Sequence, residues 1–356
     1  MRMRVLLNLL KLACLFLLFS GASQAVAASK PTTKHKPTPL AEVPVDIVNN
    51  RVQFTMTVGD TQLLILLDTG ATSSIFFQSE KLAAIAPDIS GKTRIAFPAL
   101  SRSVNGWRIK ALTMKSGGFT HISRGGLLIE EQNSVAAQLE AQYEAIFGQD
   151  FFRSYTVEID PANRLMRLYA PGTDLEPHYN SSHRLFMEGH TPHIKVFSEM
   201  PWEERQTSKA LLLDTGYPGS MVLWSERHYR QAKRKGQIVS QSQQSTGIVS
   251  HITLRFGVLK FVNIPVFIAK HVPQQSMKRD GLVGASLLAQ YWHVIDFANA
   301  QLLMSPIYGT SGTPLQIIDG LIYTPNNEDF DLKTYYPEIP RSPTLYIHAN
   351  TDTTIR

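Results

Sequence analysis

The chain of 356 residues holds a single cysteine, Cys14, and it lies inside an N-terminal apolar stretch. With that stretch removed, the remainder has no disulfide framework, thiol nucleophile or thiolate metal site. Acidic residues are absent from residues 1–40, which carry Arg2, Arg4, Lys11, Lys30, Lys34 and Lys36. The formal charge of +6 therefore belongs entirely to that segment, and residues 41–356 sum to zero. The basic balance thus describes a leader and a linker, and no nucleic-acid partner is expected. Helical periodicity is scarce, confined to short pieces such as Val135 to Ala145. With 43% hydrophobic and 18% charged residues the composition excludes both wholesale disorder and a multi-span membrane protein.

What is present at the N-terminus reads as an export signal. Arg2 and Arg4 form a positive start, Leu12 to Phe19 is uninterruptedly apolar, and small residues surround Ala25 and Ala27. Residues 1–28 are expected to be a signal peptide, leaving no membrane span after cleavage; an uncleaved anchor beginning at Val5 is the alternative. An exported chain without disulfides suits a bacterial periplasm or a secreted protein. Residues 29–43 form a basic, proline-rich linker, too short and polar to fill a cleft as a pro-segment. Residues 44–175 and 176–320 are expected to be two mainly β lobes, with a connection over 172–190, and residues 321–356 a polar tail.

The division into lobes rests on internal repetition. Laying Asp68-Thr69-Gly70 on Asp214-Thr215-Gly216 without a gap pairs Ser74 with Ser220, Ile75-Phe76 with Met221-Val222, and Ser79-Glu80 with Ser225-Glu226. Each serine is expected to cap a short helix, ending near Gly91 and Gly236. A second block pairs Ile146-Phe147-Gly148 with Leu282-Val283-Gly284, Tyr155 with Tyr291, and Ile159-Asp160 with Ile295-Asp296. Strand patterns precede each triplet: Val52 to Val58 alternates, and Leu63 to Leu67 is a continuous apolar run that delivers Asp68.

Two carboxylates brought within a few ångströms cannot both ionise, so such a pair holds one proton and can act as base and acid together. Gly70 and Gly216 leave room beside each carboxylate, and the Thr69 and Thr215 hydroxyls are placed to bond the opposite loop. On these residues the sequence resembles the pepsin and retroviral-protease superfamily of aspartic peptidases. The resemblance runs from Asp68-Thr69-Gly70-Ala71-Thr72-Ser73-Ser74 with Ile146-Phe147-Gly148 to Asp214 through Ser220 with Leu282-Val283-Gly284. Ala71 with Phe147-Gly148-Gln149-Asp150-Phe151 looks closer to bacterial retropepsin-like proteins than to animal pepsins. It implies an all-β, two-lobed acid-protease fold with internal duplication and a cleft between the lobes. It also implies an aspartic endopeptidase, a monomer acting on a peptide or protein substrate, with Asp68 and Asp214 catalytic. Thr69, Gly70, Ser74, Thr215, Gly216 and Ser220 would support the loops.

Two positions depart from that pattern. Tyr217 follows the second triplet where the family has a small or hydroxylated residue, and Pro218 biases it toward an extended backbone. A flap hairpin is expected with its tip within Ser101 to Gly106, yet residues 70–142 contain no tyrosine, and Trp107 is the substitute. Ala71 lacks a hydroxyl that would lower the pKa of Asp68, so a working pH less acidic than pepsin's is expected. A catalytically silent peptide-binding relative and an envelope-tethered interaction protein are the alternative functions. His178, His183, His190 and His193 fit no zinc spacing; neither metal nor cofactor is expected. The basic stretch Arg227 to Lys235 reads as the solvated face of a short helix.

Overall fold

The computed structural model describes residues 35–97, 102–129, 143–188, 191–241, 247–257, 259–270, 280–307, 316–318 and 321–323. The strands of the first half are β1 (Ala41–Pro44), β2 (Asp46–Val48), β3 (Arg51–Val58), β4 (Thr61–Leu67), β5 (Ile75–Phe77), β6 (Ile89–Phe97), β7 (Arg102–Ile109), β8 (Ala111–Ser116), β9 (Phe119–Arg124), β10 (Leu127–Ile129), β11 (Ala145–Phe147), β12 (Thr156–Asp160) and β13 (Leu165–Tyr169). Those of the second half are β14 (Ser181–Glu188), β15 (Thr191–Glu199), β16 (Thr207–Asp214), β17 (Met221–Leu223), β18 (Ser240–Gln241), β19 (Gly247–Phe256), β20 (Leu259–Ala269), β21 (Gly281–Gly284), β22 (Tyr291–Asp296) and β23 (Gln301–Pro306). The described helices are short, the longest being Glu226–Arg234, and the architecture is all-β.

Strand order makes the duplication explicit. One sheet runs β6-β7-β10-β5-β11-β4-β3, and part of the other runs β18-β19-β20-β17-β21-β16-β15. The bent pairs β7 with β8 and β9 with β10 correspond to the single long strands β19 and β20. Each lobe then closes in the same way, with Thr57 of β3 opposite Lys115 of β8 and Phe197 of β15 opposite Arg255 of β19. A shared layer joins the halves, β1-β13-β12 meeting β22-β23-β14, with Glu158 opposite Val294 at its centre. Asp160 and Asp296 have matching roles there. Each accepts from the N–H and side-chain amide of the asparagine three residues on, Asn163 or Asn299, and so closes its hairpin turn.

The main hydrophobic core runs through both lobes and the shared layer, from Val43 and Phe54 to Leu213, Ile252 and Met304. The last leucines of β4 and β16 are covered on both faces, which is why these stretches are continuous apolar runs. Leu66, Ile75 and Ile146 face away from the main core in the first lobe, as do Leu212, Val222 and Leu282 in the second. β9 instead alternates, with Phe119, His121 and Ser123 turned inward.

Several expected boundaries move. Residues 41–43, assigned to the linker, belong to β1, which pairs with β13, and Lys36 reaches the buried Glu158 at 2.7 Å, so the folded body begins earlier. The 172–190 connection contains β14, which pairs with both β23 and β15. Leu321–Tyr323, assigned to the tail, pairs with Gln316–Ile318; residues 324–356 lie outside the described residues. Ser79 does cap its helix, accepting from Leu82 N at 3.2 Å, but that helix, Glu80–Ile85, stops short of Gly91, with Ala86 as its left-handed C-cap and Pro87 next. The helical pattern of Val135 to Ala145 lies mostly outside the described residues, and Ala145 itself begins β11.

Candidate active site

β4 and β16 deliver Asp68 and Asp214 to the junction of the two lobes. Behind each loop passes a parallel strand: β11 sets Phe147 opposite Leu67, and β21 sets Gly284 opposite Asp214. Asp68 N donates to Phe147 O at 3.0 Å, while Gln149 N and Ala285 N donate to Ala71 O at 2.9 Å and Tyr217 O at 2.8 Å. The turn of each loop is thereby tied down by main-chain bonds that any side chain would permit.

The two loops are bonded to each other through their threonines. Thr69 Oγ1 donates to Leu213 O at 2.6 Å and accepts from Thr215 N at 3.1 Å; Thr215 Oγ1 donates to Leu67 O at 3.1 Å and accepts from Thr69 N at 3.0 Å. Both threonines are buried. This reciprocal ring fixes the separation of the aspartates. Gly70 and Gly216 make the approach possible: a Cβ on Gly70 would lie 2.8 Å from Asp214 Cγ, and one on Gly216 would lie 2.6 Å from Asp68 Oδ2. No larger residue fits either position without moving the opposite carboxyl.

Asp68 and Asp214 share a hydrogen bond, and both keep some solvent access. Burial raises both above the usual carboxylate range. For Asp68, N–H groups of Gly70, Ala71 and Gly216 and the bond to Asp214 pull in the opposite direction. Asp214 is raised well above, by burial and then by the negative charge of Asp68, against only the N–H groups of Tyr217 and Gly216. The pair therefore shares one proton, and the stronger rise at Asp214 directs it toward that carboxyl. Such a pair can accept a proton on one carboxyl and give one from the other.

A scan against protein-family models finds no match, and a sequence search of curated proteins finds none either. Among solved structures the chain is similar to the crystal structure of basic 7S globulin from soybean. The sequence identity is 11%, the TM-score 0.48, and the overlap covers 76% of this chain and 95% of that one.

Ser74 and Ser220 both sit at the base of their loops, with different partners. Ser74 Oγ donates to Asp150 Oδ1 at 2.9 Å and accepts from Gly148 N at 3.3 Å, whereas Ser220 Oγ meets Ser286 Oγ at 2.8 Å. The gap-free alignment also slips here. Ile146 lies opposite Ile75, but its counterpart Leu282 lies opposite Val222, one residue beyond the position that the alignment predicts. Measured to the residue opposite that counterpart, the second loop is thus a residue longer, although β5 and β17 each begin seven residues after their aspartate. Tyr217 occupies that loop without disturbing the carboxyl: its N–H donates to Asp214 Oδ1 at 3.1 Å. Its ring turns aside, packing near Leu212, Val222 and Leu282, over a glycine where the first loop has Ser73. A Cβ on Gly219 would lie 2.7 Å from the Tyr217 hydroxyl.

Trp107 lies within β7, half-buried against the main core and opposite Lys92, whose Nζ is 5.6 Å from the ring centre. Residues 102–106, expected as part of a flap tip, are strand, with Arg102 opposite Phe97; Ser101 lies outside the described residues. His183 and His193 are buried within strands and bond Ser181 Oγ and Thr191 O, His178 lies in a short turn, and His190 is outside the described residues. Two supports escaped the sequence reading. Gln149 is buried and donates from Nε2 to Thr69 O at 3.2 Å, and Asn50 donates from Nδ2 to Pro218 O at 3.0 Å. A polar residue directly after the apolar-apolar-Gly element was the available signal for Gln149; Asn50 gave none beyond a turn.

Proposed function

We propose that the chain is an aspartic-type endopeptidase that hydrolyses peptide bonds through a water activated by Asp68 and Asp214. One observation carries the reading: two carboxyls on duplicated loops hydrogen-bond to each other, each beside a glycine whose absent Cβ leaves the space that they need. In this reading Asp68, ionised, takes a proton from water as its oxygen attacks the carbonyl carbon. Asp214 gives its proton to the carbonyl oxygen, producing a tetrahedral diol. Collapse breaks the C–N bond, the amine leaves with a proton returned through the pair, and the free acid forms.

The export signal read in residues 1–28 makes the proposed setting periplasmic or secreted, with the mature chain acting as a monomer. The peptide-binding alternative depended on Tyr217 distorting the second loop, and the Tyr217 N–H bond to Asp214 speaks against that distortion. The test is digestion of a peptide library by the purified mature chain beside its Asp68→Asn and Asp214→Asn variants. Cleavage by wild type and its loss in both variants is expected. Full activity in either variant overturns the proposal, and peptide binding without turnover favours the silent relative.

A further inference from the structure

The connection between β2 and β3 has two residues, Val48 lying opposite Arg51, and both have positive φ, 50° at Asn49 and 63° at Asn50. That is the backbone of a type I′ hairpin turn, where glycine is favoured at the second position because it takes the left-handed conformation without steric cost. Asn50 stands there instead, and its side chain has a partner in the other half of the molecule: Nδ2 donates to Pro218 O at 3.0 Å. The partner is well placed to matter. Pro218 directly follows Tyr217, whose N–H donates to Asp214 Oδ1, and it lies in the loop that is one residue longer than its counterpart. Pro218 has no N–H with which to tie itself down, so its carbonyl is the main-chain hydrogen-bonding group left to it.

We propose that Asn50 is a positioning residue for Asp214: its amide pins Pro218 from across the lobe junction and so holds Tyr217 N–H against the Asp214 carboxyl. The effect on turnover rests on the peptidase reading; the effect on the carboxyl does not. Asp68 is the titratable group that faces Asp214 from the opposite loop, and the N–H groups of Gly216 and Tyr217 face it from its own. The Tyr217 N–H favours the ionised carboxyl, so loosening it raises the proton affinity of Asp214.

Asn50→Gly separates positioning from stability, because glycine suits the turn at least as well as asparagine. Its unfolding midpoint is expected at or above that of wild type. In a titration of 13C-labelled aspartate carboxyls, the upper transition of the pair moves to higher pH by about half a unit or more. In peptide cleavage, the alkaline limb of the pH profile moves the same way, and kcat falls by about three- to tenfold with KM little changed. A carboxyl titration that overlays wild type overturns the proposal. If wild type cleaves no peptide, the peptidase reading fails while the titration still decides the role of Asn50. Should the glycine variant lose cooperative unfolding, Asn50→Ala, which removes the donor without adding a charge beside the pair, is titrated in its place, and an overlay on wild type again overturns the proposal.

Discussion

In the first lobe the aspartate loop leans on its own half. Gln149 holds Thr69 O, Asp150 holds Ser74, and Ala71 contributes little side chain. In the second lobe the positions of Gln149 and Asp150 are taken by Ala285 and Ser286, the loop is a residue longer, a tyrosine ring packs behind it, and Asn50 reaches over from the first lobe. What stays the same is main chain and threonine: the parallel strand behind each triplet, the reciprocal Thr69 and Thr215 bonds, and the N–H groups turned toward each carboxyl. The carboxyl pair thus depends on the conserved backbone pattern of the duplication, and the surroundings of each loop have been free to diverge.

The strongest way to break the comparison is to close the space shared by the loops. Gly216→Ala places a Cβ against Asp68 and is expected to reduce peptide cleavage by more than about a hundredfold, as misplacement of a reacting group by about 1 Å does. Steady-state kinetics on a peptide substrate checks this, with circular dichroism confirming the fold. Next comes the ring that ties the loops. Thr69→Val keeps the shape but strands two buried partners, Leu213 O and Thr215 N–H, and is expected to cost about 2–4 kcal/mol in urea unfolding. Thr215→Val acts on the same ring, so the double variant should lose less than the two single losses combined.

A third prediction copies one lobe into the other. His121 of β9 corresponds to Phe261 of β20, since Lys115 and Arg255 lie opposite Thr120 and Lys260; the two rings stand 5.7 Å from Tyr155 and 5.5 Å from Tyr291. Burial among Phe119, Phe147, Phe151 and Tyr155 lowers His121 from 6.5 to about 4. A folded pKa below the unfolded one means that the unfolded chain takes up the proton first. The stability is then complete above about 6.5 and falls as the pH drops toward 4, by on the order of 3 kcal/mol. His121→Phe should remove that share of the acid loss, leaving those due to His293, which burial also lowers to about 4, and to His183 and His228, which burial lowers as well. Unfolding curves at pH 7 and pH 4.5 measure it. The smallest effect is expected from Tyr217→Ala, which gives the second loop the residue of the first. Because it is the main-chain N–H of Tyr217 that bonds the carboxyl, turnover should stay within about threefold of wild type. The lost ring contacts should cost about 1–2 kcal/mol of stability.

The sequence made the duplication legible because it is carried by short motifs with strong physical constraints: an apolar strand, an Asp-Thr-Gly turn and an apolar-apolar-Gly strand behind it. The one-residue slip at Val222 was hidden because Ile75-Phe76 and Met221-Val222 are all apolar, so neither register looks better by composition. β1 was hidden by Glu42, Pro44 and the prolines just before it, Pro37 and Pro39, although its pairing with β13 and the bond from Lys36 to the buried Glu158 hold it in place. Asn50 was beyond reach for a different reason. Its partner is a main-chain carbonyl 168 residues away, and a bond to main chain leaves no trace in the identity of the partner.

The central claim is that Asp68 and Asp214 form a single proton-sharing unit, and it is most directly tested by titrating the 13C-labelled carboxyls of wild type and Asp68→Asn. The account predicts two separated transitions in wild type, the upper one above the usual carboxylate range and belonging mainly to Asp214. Asp68→Asn should bring Asp214 down by removing the neighbouring charge. Two carboxyls titrating independently near pH 4 in wild type, with Asp214 unmoved by Asp68→Asn, would contradict it.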